Sequence, residues 1–269
     1  MGTGATTSRA LACLYAAVSA IAATPEDAQA SPWTRIDGEA LVISRAGYFR
    51  SDLVSQDPAG GNFTAFNSDT YVEYGLTDNI MVGGKVVYGT SWLSNSYENS
   101  SRSGFSELEA FAQYQFLRND RHAISARLSA GRPALLHPDA QNSSSQDGAD
   151  IELAALYGSN VVRHPIKVFT AIETGYRKRI GSSADIIKSQ ATVGFEPSSH
   201  WIFLVEGFST ISLRNENLGG ADYDLIKIQP SLVFRFNRRW AIQAGASQDI
   251  STRNLAPGRS YFISLWSAF

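Results

Sequence analysis

The four histidines, His122, His137, His164 and His200, are the side chains best placed by chemistry to act as bases near neutral pH. Paired with a serine nucleophile, a histidine could drive lipid hydrolysis or acyl transfer at a membrane. The spacing argues against it. No Gly-x-Ser-x-Gly elbow and no His-Glu-x-x-His zinc pattern occurs. His122, His164 and His200 fall at the ends of alternating runs next to short turns, and only His137 falls in a long Ser-rich loop. No histidine and serine share a face at one height. Phosphate-loop and haem motifs are absent, and "NSSSQDGAD" (Asn142 to Asp150) has acids without the spacing of a calcium loop. The expectation is a protein that is not an enzyme and holds no cofactor and no metal.

The remaining reactive groups are charges set singly among apolar residues. In "YVEYGLTDNIMVGGKVVYG" (Tyr71 to Gly89), Glu73 and Lys85 each interrupt an alternating apolar run. Period two means strand, and Thr77-Asp78-Asn79 reads as the turn between two of them. The pattern continues through the chain. Twelve strands are predicted at roughly 39–49, 67–76, 80–93, 104–117, 121–133, 150–160, 165–177, 185–196, 200–213, 222–236, 239–251 and 260–269. Links after even strands are short: Thr77–Asn79, Arg118–Asp120, Val161–His164, Pro197–Ser199 and Asn237–Arg238. Three links after odd strands are long and polar: Arg50 to Phe66, Ser94 to Ser103 and Ala134 to Gly148.

The two ends of the sequence fit this pattern. "LACLYAAVSAIAA" (Leu11 to Ala23) follows Arg9 and precedes the small-x-small site Ala28 to Ala30, which reads as a secretory signal. Its 13 apolar residues fall short of the roughly 20 that span a bilayer. Cys13 begins the apolar run instead of ending it, which argues against a lipoprotein. The only cysteine leaves with that segment, so no disulfide or thiolate chemistry is expected. Net charge is −2 with no basic block, which excludes a nucleic-acid partner. At the other end Phe269 shares a face with Tyr261, Ile263 and Leu265, as the sorting signal of an outer-membrane strand would.

The predicted organisation is a signal peptide at 1–30, a short periplasmic segment at 31–38 and a barrel at 39–269. The fold class is all-β: a closed antiparallel transmembrane barrel in the bacterial outer membrane, both termini periplasmic. A soluble sandwich would alternate too, but it does not call for alternating short and long links plus an export signal. Alternation then sends polar residues into a lumen. The inward acids are Glu73, Glu107, Glu109, Glu152, Glu173, Glu196 and Glu206; the inward bases are Arg45, Lys85, Arg127, Lys167, Arg177, Lys188, Lys227 and Arg235. Seven against eight nearly cancels, and a lumen selective for one ion sign would be more one-sided. Either these residues line an aqueous path, or they zip the interior shut.

Trp33-Thr34, Gly38, Val42-Ile43 and Tyr74-Gly75-Leu76-Thr77-Asp78 together resemble a group of small proteobacterial barrels encoded with exopolysaccharide or biofilm secretion systems. The resemblance implies a role beside surface-polysaccharide export. With no tetratricopeptide repeat in the chain, such export would need a periplasmic or inner-membrane partner. The functional expectation is a channel or export barrel for small or extended polar solutes. The alternative is a non-conducting structural or adhesive surface barrel acting through its outer loops. Either way the partners include outer-membrane lipid and the barrel insertion machinery.

Overall fold

The computed structural model describes residues 31–52, 61–95, 99–132, 148–217 and 220–269. The predicted signal peptide lies outside them, as does nearly all of the long polar link at 134–148. Twelve strands form: β1 (Ala40–Asp52), β2 (Gly61–Thr77), β3 (Ile80–Asn95), β4 (Asn99–Arg118), β5 (His122–Arg132), β6 (Asp150–Val162), β7 (Lys167–Arg179), β8 (Ile186–Glu196), β9 (Trp201–Ser212), β10 (Asp224–Arg235), β11 (Trp240–Arg253) and β12 (Gly258–Ala268). Each pairs antiparallel with its neighbour in sequence, and β1 pairs with β12 from Leu41↔Ala268 to Ser51↔Gly258. Closure leaves no edge strand, so every backbone group of the wall can be paired inside lipid.

Most boundaries fall within about three residues of the sequence reading, and two differ by more. β2 begins at Gly61 and β4 at Asn99, so much of two predicted loops is paired strand. Ser94 pairs with Asn99 and Thr90 with Ser103 through side-chain hydrogen bonds of 2.6 and 2.9 Å. The physical reason is height. Above the lipid band the outward face need not be apolar, so the ladder continues while the apolar-out alternation disappears in β4 and inverts in β2, where Phe63 and Ala65 face in.

The outward face is apolar around the whole circumference. Leu108, Leu128, Leu153, Ile172, Val193, Val205, Ile226 and Ile263 are all exposed there. A water-soluble protein rarely shows so large a contiguous apolar surface. Aromatic rings flank this band. At the short-turn end Trp201 meets Phe234 at 4.7 Å, Phe234 meets Phe236 at 5.3 Å, and Trp240 meets Phe269 at 6.4 Å. Towards the opposite end Tyr88 meets Phe105 at 5.4 Å. Rings at both interfaces are the expected anchoring pattern.

Inside, several aromatics break the polar alternation, and some of them lie over a glycine of a neighbouring strand. Phe111 covers Gly83, Phe169 covers Gly194 and Phe262 covers Gly245; a side chain at any of these glycines would enter the ring. The aromatics are therefore interior packing for the wall.

Candidate functional site

Residues 31–38 precede the first strand and run back into the barrel. Gly38 adopts φ +79°, a left-handed turn that glycine takes without strain. The turn is closed by Glu39 N–H donating to Ile36 O at 3.0 Å and Gly38 N–H donating to Gly75 O at 3.0 Å. Ser31, Pro32, Trp33, Thr34 and Arg35 are then all buried within the short-turn end. The strands hold them by polar contacts. Gln113 Nε2 donates to Ser31 O at 3.0 Å, Gln115 Nε2 to Pro32 O at 2.7 Å, and Thr34 Oγ1 to Asp78 O at 2.6 Å. Ser125 also donates to Pro32 O. Arg35 Nε reaches Glu73 Oε2 at 2.7 Å, and the second Glu73 oxygen accepts from Tyr71 Oη at 2.8 Å. Pro32 and the Trp33 ring occupy the space a side chain at Gly158 would need.

Beside this segment the lower interior is apolar. Leu41, Ile43, Phe169, Ile202, Leu204, Val233, Ala241, Trp266 and Ala268 form one buried cluster. Apart from a second cavity of about 450 Å³ at the short-turn mouth, beside Lys167, Glu196, His200 and Arg235, the short-turn half is filled partly by wall side chains and partly by a segment that is not wall.

Above it lies a cavity of about 380 Å³. Its lining includes Arg45, Asp69, Tyr71, Lys85, Glu107, Arg127, Glu152, Glu173, Lys188, Phe208 and Lys227. Most of its charges are paired: Lys85 with Glu107 at 2.9 Å, Arg127 with Glu173 at 3.1 Å, and Arg45 with Asp69 at 3.9 Å. Arg177 gathers Glu152 at 2.5 Å, Glu109 at 2.6 Å and Asp150 at 3.7 Å. Glu206 is buried among amides, accepting from Gln229 at 2.8 Å and Gln190 at 3.3 Å. Lys167, Glu196 and Arg235 form a separate group at the short-turn mouth, with contacts of 3.6 and 3.2 Å. Lys188 reaches only to 4.0 Å from Glu152, and Lys227 lies over the Phe208 ring at 4.9 Å.

Sequence reasoning missed several participants. Asp69 and Tyr71 keep strict period two with Glu73, so their place was available in the pattern. Arg35 was not, since it precedes the first strand and no periodicity reaches it. Among the histidines, His122 stacks on Tyr157 and His200 on Phe234, both against rings of the short-turn girdle, and His137 lies outside the described residues. Among the described residues no three His, Cys, Asp or Glu side chains cluster as a metal site would require.

The opposite rim is tied together by two hubs. Asp185 accepts from Arg179 N–H at 3.0 Å, Tyr176 Oη at 2.8 Å, Lys178 Nζ at 2.9 Å and Asn215 Nδ2 at 2.9 Å. Arg253 is bidentate to Asp222, at 2.8 and 2.7 Å, and also reaches Asp224 at 2.6 Å. Burial alone would raise the Asp185 carboxyl; its four donors outweigh that and hold it well below the usual carboxylate range. The Arg253 hydrogen bonds draw Asp222 down to about 2 against the opposing effect of burial. Both folded values are depressed, so the stabilisation is complete above the ordinary carboxylate pKa of about 4 and is lost as pH falls through the folded values. Amide exchange at 181–185 and 213–217, corrected for intrinsic rates, should show full protection at neutral pH. It should loosen as pH drops from about 4 towards 2.

Twelve antiparallel strands closed into a wall, apolar outside, aromatic at both rims and charged within, make this a transmembrane β-barrel of the outer-membrane type. The translocator domain of the autotransporter NalP from Neisseria meningitidis superposes with a TM-score of 0.56, covering 99% of this chain and 100% of that one at 14% identity. An outer-membrane channel from Pseudomonas putida F1 gives 0.65, covering 88% and 97% at 12% identity. The NanC porin gives 0.52, covering 83% and 98% at 10% identity. At such identities the likeness is one of fold. No protein-family model matches the sequence, and no curated protein matches it either.

Proposed function

We propose that the chain is an outer-membrane channel for small polar solutes, with its short-turn mouth in the periplasm and held shut by residues 31–38. It acts by conduction and not by catalysis. The observation that carries this reading is the division of the interior. A charged cavity lies above a short-turn half occupied in part by a segment that is outside the strand ladder. Barrels of like fold include a channel and a porin. A cavity of about 380 Å³ suits small solutes better than an extended polymer. A part in polysaccharide export rests only on the Trp33-Thr34 and Tyr74–Asp78 resemblance.

One observation favours a non-conducting surface barrel instead: the apolar cluster fills much of the lower interior even apart from the segment. Osmotic swelling of proteoliposomes in arabinose separates the two. A channel predicts faster swelling once residues 31–38 are deleted. A folded deletion variant that swells no faster than empty liposomes contradicts it.

A further inference from the structure

One guanidinium connects the cavity to the segment that occupies part of the short-turn half. Arg127 of β5 stands directly across from Gln113 of β4. Its Nε and Nη2 both donate to Gln113 Oε1, at 3.0 and 2.8 Å. Its Nη1 donates to both oxygens of Glu173, at 3.4 and 3.1 Å. Arg127 and Glu173 line the central cavity, whereas Gln113 is buried against residues 31–38. The wall leaves room for this reach. Ala154 of β6 lies across from Arg127, and Gly175 of β7 lies across from Ala154, so only small residues stand between Arg127 and β7.

The fork decides which way the Gln113 amide points. An amide has one accepting end and one donating end. With two N–H groups of Arg127 on its oxygen, its nitrogen faces away from them and donates to Ser31 O at 3.0 Å. Turned over, the amide would set donor against donor at Arg127 and acceptor against acceptor at Ser31. The same guanidinium also backs the other anchor of the segment. It lies over the Phe111 ring at 4.8 Å, Phe111 stacks on Tyr71 at 5.7 Å, and Tyr71 bonds the carboxylate of Glu73 that holds Arg35.

We propose that Arg127 is a positioning residue for the closure: it links the cavity carboxylate Glu173 to the amide that holds Ser31, so that a change at Glu173 loosens the segment. The proposal rests on the reading of residues 31–38 as the closure of a channel and adds how the cavity controls it. A double-mutant cycle tests the linkage, read as tryptic cleavage after Arg35 in the full-length folded barrel in detergent. Arg127→Met removes the fork and keeps an unbranched stem. Cleavage should rise about tenfold or more, as for loss of a charged hydrogen bond at a buried site. Glu173→Gln should raise cleavage by itself, although its contact is with Arg127 and not with Ser31. The double variant should match Arg127→Met, because the effect of Glu173 passes through Arg127. A stranded charge gives the opposite result: the double variant returns to the parent rate once Glu173 no longer needs a partner. That return, multiplied effects in the double variant, or an unchanged rate in Glu173→Gln overturns the linkage. Heat-modifiable migration on gels shows that each wall is closed. Arg127→Lys keeps the charge with one nitrogen in place of three and should also be cleaved faster; a folded Arg127→Lys barrel cleaved at the parent rate overturns the fork. Coupled cleavage in a barrel that conducts no better without residues 31–38 would keep the linkage and remove the channel. Conduction released by that deletion, with no coupling in the cycle, would do the reverse.

Discussion

Replacing Glu73 with leucine should expose the Arg35–Ile36 peptide bond to trypsin. Arg35 is 4% exposed and Glu73 fully buried, with 2.7 Å between them. Removing one partner of a buried ion pair costs about 3–5 kcal/mol, because the other is left charged in a poor solvent. Here the stranded cation can escape. The chain before Gly38 carries no strand pairing, so its release from the barrel rehydrates Arg35 while the wall stays closed. At about 1.4 kcal/mol per tenfold, the released fraction should rise about 100-fold or more. Cleavage should follow that fraction while opening and closing outpace the protease. The readout is a new N-terminus at Ile36, identified by mass. Gly158→Val should give the same product by a different route, since its side chain would collide with Pro32 and Trp33 and leaves the ion pair untouched. A folded Glu73→Leu barrel cleaved no faster than the parent would show that the pair does not hold the segment.

The second large effect concerns assembly. Phe269 closes the ring: its N–H donates to Ala40 O at 2.9 Å, and its O accepts from Ala40 N–H at 3.1 Å. Its ring is exposed outward beside Trp240. A charge placed at the lipid edge costs only about 0–1 kcal/mol. If Phe269 is also the mark read by the insertion machinery, Phe269→Asp should abolish most of the folded, heat-modifiable protein in the outer-membrane fraction. The same variant should refold in detergent nearly as well as the parent. Equal losses in cells and in detergent would make the effect one of stability, and unchanged assembly would remove the sorting role.

The wall was readable because a barrel is locally encoded. Alternation sets which residues face lipid, and turn residues such as Asp78-Asn79 set where strands reverse. The strand count, the antiparallel order and the closure follow from these. The start of β4 was lost where Ser100 and Ser101 make both faces polar, and the start of β2 where the alternation inverts, with Asn62 and Thr64 outward and Phe63 and Ala65 inward. The interior was less readable because its content is not local. Seven acids and eight bases argued against a lumen of one sign. How those charges pair depends on register and on Arg177 engaging acids from β4 and β6. The placement of residues 31–35 rests on contacts with β2, β4 and β5 that no periodicity in that segment announces.

Single-channel recording in planar bilayers tests the central claim most directly. Full-length barrel and a variant lacking Ser31 to Gly38 are inserted under the same salt and voltage. The account predicts a small or intermittent conductance for the full-length barrel and a larger, steady one for the deletion variant. Equal conductance in the two, or silence in both despite heat-modifiable folding, would contradict it.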